Sequence, residues 1–255
     1  MAARISVTVM DPRLAQVPAV AALASALGDT VDGLYVGGSV ASGDYRPAVS
    51  DIDAVALVGN PLGPAARRAL THTHQELGRA RVDAAGLHCA YVVRRHVGDV
   101  AYRHWTWAFD ELFRRPFSGI GRAELLADPV VVHGPRPSQW LPAMDVDDLR
   151  DAARAELSGY WTTALRKRAI WRQDVYVDHG VTTVGRADLT IRDGRLVTKT
   201  EAIARLAELG LPPEILDGVR RRRAGNDVWI SPAEREARAD EVRAFLRRQI
   251  ARLLA

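Results

Sequence analysis

Two aspartates separated by one residue stand at the start of an apolar run, Ser50-Asp-Ile-Asp-Ala-Val-Ala-Leu-Val58. The run predicts a β-strand, and residues i and i+2 of a strand point to the same face, so Asp51 and Asp53 should project together. Two adjacent carboxylates repel each other unless a positive charge neutralises them. A hard divalent cation such as Mg²⁺ does this and keeps coordination sites for water and phosphate oxygens. The pair is therefore a candidate metal site.

A turn of small residues precedes the aspartate pair. Gly37 and Gly38 let the backbone approach a ligand closely, and Ser39 offers a hydroxyl and a backbone N–H to an anion. Ser50 either contacts phosphate as well or serves as a simple cap of the turn before the strand. Amide donors for phosphate beside carboxylates for a metal predict a site for a nucleoside triphosphate.

The elements that hold these residues follow from the hydrophobic pattern. Strands are predicted at 32–36, 51–58, 86–93 and 129–133, and helices at 11–30 and 64–80. The stretch 95–115 is aromatic and of uncertain type, and the proline-rich segment 134–142 reads as a linker. Beyond it the pattern is helical, with segments at 147–172, 176–191, 198–209, 213–223 and 231–254. We expect an α+β protein with a mixed-sheet domain over 1–142 and an all-α domain over 143–255.

The motif Gly37-Gly-Ser39 followed by Ser50-Asp-Ile-Asp53 resembles the signature of the polymerase-β-like nucleotidyltransferases. The segment Val181–Ile203, with an arginine in a helix and a Thr-Lys before the next helix, looks like the helical domain of the aminoglycoside 3″/9 adenylyltransferases. This resemblance implies that Asp51 and Asp53 bind Mg²⁺. It also implies that AMP passes from ATP to an acceptor hydroxyl, with release of pyrophosphate.

In that family a third carboxylate comes from the neighbouring strand, which here is the acid-free segment 86–93. Alignment of the apolar runs puts His88 at its position. Histidine titrates near neutral pH, so His88 is either a general base or a core histidine hydrogen-bonded to a neighbour.

The resemblance also names residues for the nucleotide. Gly38, Ser39 and Ser50 would contact the phosphates from the first domain. Arg186 and Lys199 would contact them from the second, and Lys199 follows a glycine turn at a predicted helix start. The alternative for Lys199 is a solvated loop residue.

Arg223 or its neighbour stands where the family has an adenine-stacking tyrosine, and a guanidinium can also stack on a base.

A polycationic acceptor such as an aminoglycoside should meet acids and aromatic rings. Trp107, Asp174, Asp178 and His179 are the available residues, and Asp178 with His179 also offers a base. The tryptophan has a competing interpretation, because aromatic residues at this spacing are often part of a core.

The amino-acid composition limits the possible partners and cellular location but does not indicate a function. The 255 residues carry a net charge of +4, with 35 basic residues that are almost all arginine and are spread along the chain. This is weak support for nucleic-acid binding, so we expect ATP and a small hydroxyl-bearing acceptor as partners. One cysteine and no long apolar segment favour a cytoplasmic protein without a membrane partner. We also expect a monomer.

Two alternatives stay open: a nucleotidyltransferase acting on RNA or protein, and a nucleotide-binding homologue that has lost catalysis. The missing strand carboxylate motivates the second.

Overall fold

The computed structural model describes residues 11–255, and these residues form two compact units. The first contains the described residues up to Gly43, then Asp51–Phe117 and Ala127–Pro142. The second contains Asp44–Ser50, Ser118–Leu126 and Ala143–Ala255. Two short segments that precede residue 143 therefore group with the second unit.

The first unit is built on a mixed six-stranded sheet in the order β5-β4-β3-β2-β1-β6. Only β2 and β3 pair in parallel, and every other neighbouring pair in this sheet is antiparallel. The aromatic stretch of uncertain type forms the hairpin of β4 and β5. The strands are β1 (Gly33–Val36), β2 (Ile52–Val58), β3 (Leu87–Val93), β4 (Arg103–Ala108), β5 (Glu111–Pro116) and β6 (Val130–His133).

The first unit also contains the helices α1 (Pro18–Leu27), α2 (Gly38–Ala41) and α3 (Pro64–Ala80). The next helix, α4 (Gly119–Ala127), groups with the second unit up to Leu126. The single helix predicted over 11–30 is divided, because Pro18 has no N–H and begins a new helix after a 3₁₀ segment at Pro12–Gln16. From α3, His74 packs on the sheet, where its ring stacks on Trp107 and its Nε2 is 2.8 Å from the hydroxyl of Tyr91.

The second unit is helical: α5 (Val146–Glu156), α6 (Thr162–Ala164), α7 (Asp174–Asp193), α8 (Lys199–Arg205), α9 (Pro213–Arg223) and α10 (Pro232–Leu254). The helix predicted over 147–172 continues through a π-helical turn at Leu157–Trp161 and ends at Ala164, before a 3₁₀ segment at Arg168–Arg172. At the π-helical turn the hydroxyl of Thr162 donates to the carbonyl of Leu157 at 2.9 Å.

Buried residues of α7 lie in the hydrophobic core of this unit. Together, the mixed sheet and the helices confirm the predicted α+β class. Among the described residues, no helix combines the length and apolar character that crossing a membrane requires.

Candidate active site

The glycine turn after β1 is held against the start of β2. The N–H of Gly37 donates to the carbonyl of Asp53 at 2.9 Å. Gly38 has φ +58°, and a Cβ built on it would lie 2.3 Å from Oδ2 of Asp53. Two independent features therefore require glycine at position 38: the left-handed backbone and the carboxylate beside it. The two halves of the sequence motif are in contact.

Asp51 immediately precedes β2 and Asp53 is its second residue. Both are exposed, whereas Ile52 between them is 1% exposed. Because strand side chains alternate, the two carboxylates share the face opposite to Ile52. Among residues 11–255 no group of three or more His, Cys, Asp or Glu side chains is arranged to hold a metal. The donor set is therefore two exposed carboxylates, which suits a hard cation whose other ligands are water and phosphate.

His88 lies directly beside Asp53, as its partner in the parallel pairing of β2 and β3. Paired residues of parallel strands point to the same face, so the imidazole and the carboxylate project together. His88 is half-buried, and the edge of its ring meets Phe109 at a centroid distance of 5.0 Å. Its catalytic role stays a prediction.

Phe109 is a residue of this site that sequence reasoning missed. With Asp110 it forms the two-residue turn between β4 and β5, and both residues have positive φ, 55° and 60°. This is the geometry of a type I′ turn, which normally shows Asn or Gly. Phe109 is 73% exposed, so an aromatic ring stands in solvent next to His88. The Phe-Asp dipeptide carries no turn signal that would have revealed it.

Ser50 is buried and belongs to a fixed loop rather than an open one. Its hydroxyl accepts from the backbone N–H of Arg46 at 3.1 Å and from Nη1 of Arg223 at 2.9 Å. The turn-capping interpretation of Ser50 therefore describes its contacts in this structure.

The guanidinium of Arg223, which was predicted to stack on the base, is held by protein groups in this structure, and its role toward a nucleotide stays a prediction. Its guanidinium forms an ion pair with Asp44 at 3.0 Å, and both side chains are about nine-tenths buried. The N–H of Thr200 donates to the same carboxylate at 3.1 Å. Burial raises the pKa of Asp44, but the hydrogen bonds from Thr200 and the charge of Arg223 outweigh it, so the pKa lies below its usual value. Arg223 thus ties the loop 44–50 to α8 and α9 within the second unit.

Arg186 is also committed to protein partners. Its Nη2 donates to Glu124 at 2.7 Å and its Nε to the carbonyl of Val197 at 2.8 Å. The cavity next to it has a volume of only about 10 Å³, room for a single water but not for a phosphate. Glu156 also lines this cavity; burial raises its pKa and the nearby Arg186 lowers it, with burial the larger effect. In this arrangement Arg186 does not present itself to a nucleotide.

Lys199 is the first residue of α8 and is half-buried. Side chains already serve this helix start: the N–H of Glu201 donates to the hydroxyl of Thr198 at 3.1 Å, and that of Thr200 to Asp44. An anion would find these two amides occupied, so phosphate binding by Lys199 would have to come from its ammonium group.

The acids predicted for a cationic acceptor are neutralised by arginines. Arg222 donates two hydrogen bonds to the carboxylate of Asp178, at 2.8 and 2.6 Å. Asp174 forms ion pairs with Arg238 at 2.5 Å and with Arg235 at 3.3 Å. Burial raises the pKa of Asp178 more than Arg222 lowers it. Three arginines against two aspartates leave this cluster net positive, which does not favour a cation, and the contact of Asp174 and Asp178 with an acceptor stays a prediction.

Trp107 is buried, which agrees with the competing interpretation of this tryptophan as part of a core. It pairs with Cys89, the neighbour of His88, and therefore lies on the sheet face opposite to His88. It is 4% exposed and stacks on His74 at 4.8 Å. His179 is exposed and stacks on Trp161 at 5.1 Å.

No family model matches this sequence, and no curated protein matches it. Solved structures do match the fold. The chain is similar to the crystal structure of spectinomycin adenyltransferase AAD(9) from Enterococcus faecialis with ATP and spectinomycin. The TM-score is 0.68 at 15% sequence identity, with 92% of this chain and 98% of that chain covered. At this identity the likeness concerns the fold alone, and it agrees with the predicted α+β class.

Proposed function

We propose that this protein is a nucleotidyltransferase that moves AMP from MgATP to a hydroxyl group of a small acceptor. The observation that carries the proposal is the contact between Gly38 and the carboxylate of Asp53, with Asp51 on the same strand face. A glycine turn that leaves no room for a side chain beside one carboxylate of the pair is suited to hold phosphate and metal close together. The likeness of the fold to an enzyme crystallised with ATP supports the same reaction class.

Asp51 and Asp53 would hold the Mg²⁺ ion. When bound, this ion neutralises charge on the triphosphate and polarises the phosphoryl group that is attacked. Gly38 keeps the space beside Asp53 free of a side chain, and Ser39 offers its hydroxyl to a phosphate from the first turn of α2. The chain thereby orients the α-phosphate for in-line attack.

His88 is our candidate for the general base. Its ring is on the same strand face as Asp53 and one strand away, close to where the acceptor hydroxyl must attack. In the proposed step the acceptor oxygen forms a bond to the α-phosphorus and the bond to pyrophosphate breaks. The hydroxyl proton passes to the imidazole of His88.

The acceptor is a proposal of its own. The residues expected to attract a polycation, Asp174 and Asp178, are engaged by arginines, and Trp107 is in the core. We therefore propose a small hydroxyl-bearing acceptor, for which aminoglycosides and spectinomycin are the first compounds to test.

A competing function is nucleotide binding without transfer. It is favoured by the histidine at the position beside Asp53, where a third carboxylate would complete the metal site.

The test is pyrophosphate release from ATP and Mg²⁺ against a panel of hydroxyl acceptors, run in parallel with ATP binding by calorimetry. Asp53→Asn is the negative control. Comparison of the release rates of His88→Ala and His88→Glu distinguishes a general base at position 88, which Glu can replace, from a ring that is needed only for packing. Release that Asp53→Asn abolishes and His88→Glu retains supports transfer with residue 88 as the base. ATP binding without release across the panel would favour the binding protein.

A further inference from the structure

A second pocket lies in the first unit, at the end of the sheet away from the aspartates. It has a volume of about 260 Å³, room for roughly nine waters at about 30 Å³ each. Val93, the last residue of β3, lines it. Val93 pairs with Val58, whereas the candidate active site is at the paired residues Asp53 and His88. Five residues of strand separate the two ends, about 17 Å at 3.3 Å per residue.

The side chains that line this pocket are mainly cationic and aromatic. Three arginines converge on it from different elements: Arg67 from α3, Arg103 from β4 and Arg114 from β5. The aromatic walls are Tyr102 and Trp105. No aspartate or glutamate lines the pocket.

The aromatic rings hold two of the guanidinium groups in place. The guanidinium carbon of Arg67 lies 4.8 Å from the ring centroid of Trp105, and that of Arg114 lies 5.6 Å from the centroid of Tyr102. Arg114 also donates from Nε to the carbonyl of Arg103 at 2.8 Å. These contacts orient the arginines without neutralising them. They also cover ring faces that a nucleobase would need for stacking.

No carboxylate of the described residues neutralises the positive charge in this pocket, although Arg103 donates from Nη2 to the carbonyl of Arg114. None of the ion pairs among residues 11–255 includes Arg67, Arg103 or Arg114. The Nε of Arg67 is buried and makes no hydrogen bond, which costs free energy unless a ligand supplies an acceptor. Arg67 also stands in the first turn of α3, the positive end of a 17-residue helix that begins without a side-chain cap.

From this arrangement we propose that the pocket binds a small phosphate anion, of the size of orthophosphate or pyrophosphate. Planar guanidinium groups bind phosphate oxygens with paired, charge-assisted hydrogen bonds, and an anion would relieve the repulsion among three cations in one cavity. Recognition is directed at the phosphate group itself. The site is independent of Asp51 and Asp53, and the inference stands whether or not the proposed transfer reaction is confirmed.

The test is a calorimetric titration of the full-length protein with pyrophosphate in the presence of EDTA, so that no metal-dependent site contributes. Arg67→Gln is the test variant, and Arg68→Gln is the matched control, because Arg68 is the adjacent, exposed arginine of α3 and does not line the pocket. Arg114→Gln is a second test variant in case the first fails to fold, and circular dichroism checks every variant.

We expect saturable binding to the wild type and to Arg68→Gln, weakened about tenfold or more in Arg67→Gln and Arg114→Gln, because hydrogen bonds from charged donors are the strong class. Orthophosphate and AMP should both compete, because only the phosphate is read. No saturable binding, or equal affinity in the Arg67 and Arg68 variants, would overturn the proposal. Binding of an RNA oligonucleotide that Arg67→Gln weakens, together with no binding of pyrophosphate, would also overturn it.

Discussion

Gly38→Ala separates the geometry of the candidate active site from the stability of the fold. A left-handed backbone costs a residue with a side chain about 1–2 kcal/mol, and Gly38 has φ +58°. The added Cβ would also lie 2.3 Å from Oδ2 of Asp53, about 1 Å inside ordinary contact. Asp53 is exposed and can rotate away, so the clash moves the carboxylate rather than unfolding the chain. A displacement of that size costs on the order of 100-fold in rate.

Gly43→Ala is the matched control, because Gly43 has φ +73° and nothing within 4 Å of an added Cβ. Urea unfolding should show the same loss of about 1–2 kcal/mol for both variants. Pyrophosphate release and Mg²⁺-dependent ATP affinity should collapse only in Gly38→Ala. Equal activity of the two variants would refute the idea that the close approach of Gly38 positions Asp53 for catalysis.

Three further predictions concern stability. Burial lowers the pKa of His74 to about 4, so the unfolded chain takes up a proton below pH 6.5 that the folded chain excludes. Urea titrations should show stability falling by about 3 kcal/mol from pH 6.5 to 4, a slope that His74→Gln removes. Gly185→Ala puts a Cβ 2.8 Å from a carbonyl oxygen of α8 and should lower the free energy of unfolding by about 1–3 kcal/mol, measured by urea unfolding. Gly159→Ala is the control, because its Cβ would enter open space and should cause no loss. Asp178→Ala removes both acceptor oxygens of the Arg222 guanidinium, whose side chain is 14% exposed, and should lower the free energy of unfolding by about 2 kcal/mol; a double-mutant cycle with Arg222 that finds no coupling would contradict this.

Local sequence patterns predicted several helices and strands of the fold correctly. The predicted helix 64–80 matches α3, and the strand predicted over 86–93 begins one residue later, at Leu87. Alignment of the apolar runs put His88 near the aspartate strand, and the register pairs it with Asp53. Such features are predictable because a strand period of two and a helix start at proline depend on near neighbours only.

The β4–β5 hairpin was not predictable in the same way. Its turn uses Phe109 and Asp110 in left-handed conformations that sequence statistics assign to glycine and asparagine. The pairing of Ala108 with Glu111 closes a two-residue turn, and this register, rather than a local preference of Phe109 and Asp110, imposes their left-handed conformations. The side of the sheet taken by Trp107 depends on the pairing of β4 with β3, which places Trp107 opposite Cys89.

The amino-acid sequence alone determined the chemistry that this protein can attempt: two carboxylates on one strand face, and a glycine turn to approach them. Only the tertiary structure decided which charged residues are available for that chemistry. Arg186 and Arg223, expected at a nucleotide, are paired with Glu124 and Asp44, while Arg67 is left in a pocket without an acid. Spacing along a strand follows from covalent geometry, but ion pairing joins residues far apart in the chain, and only the folded backbone brings them within reach.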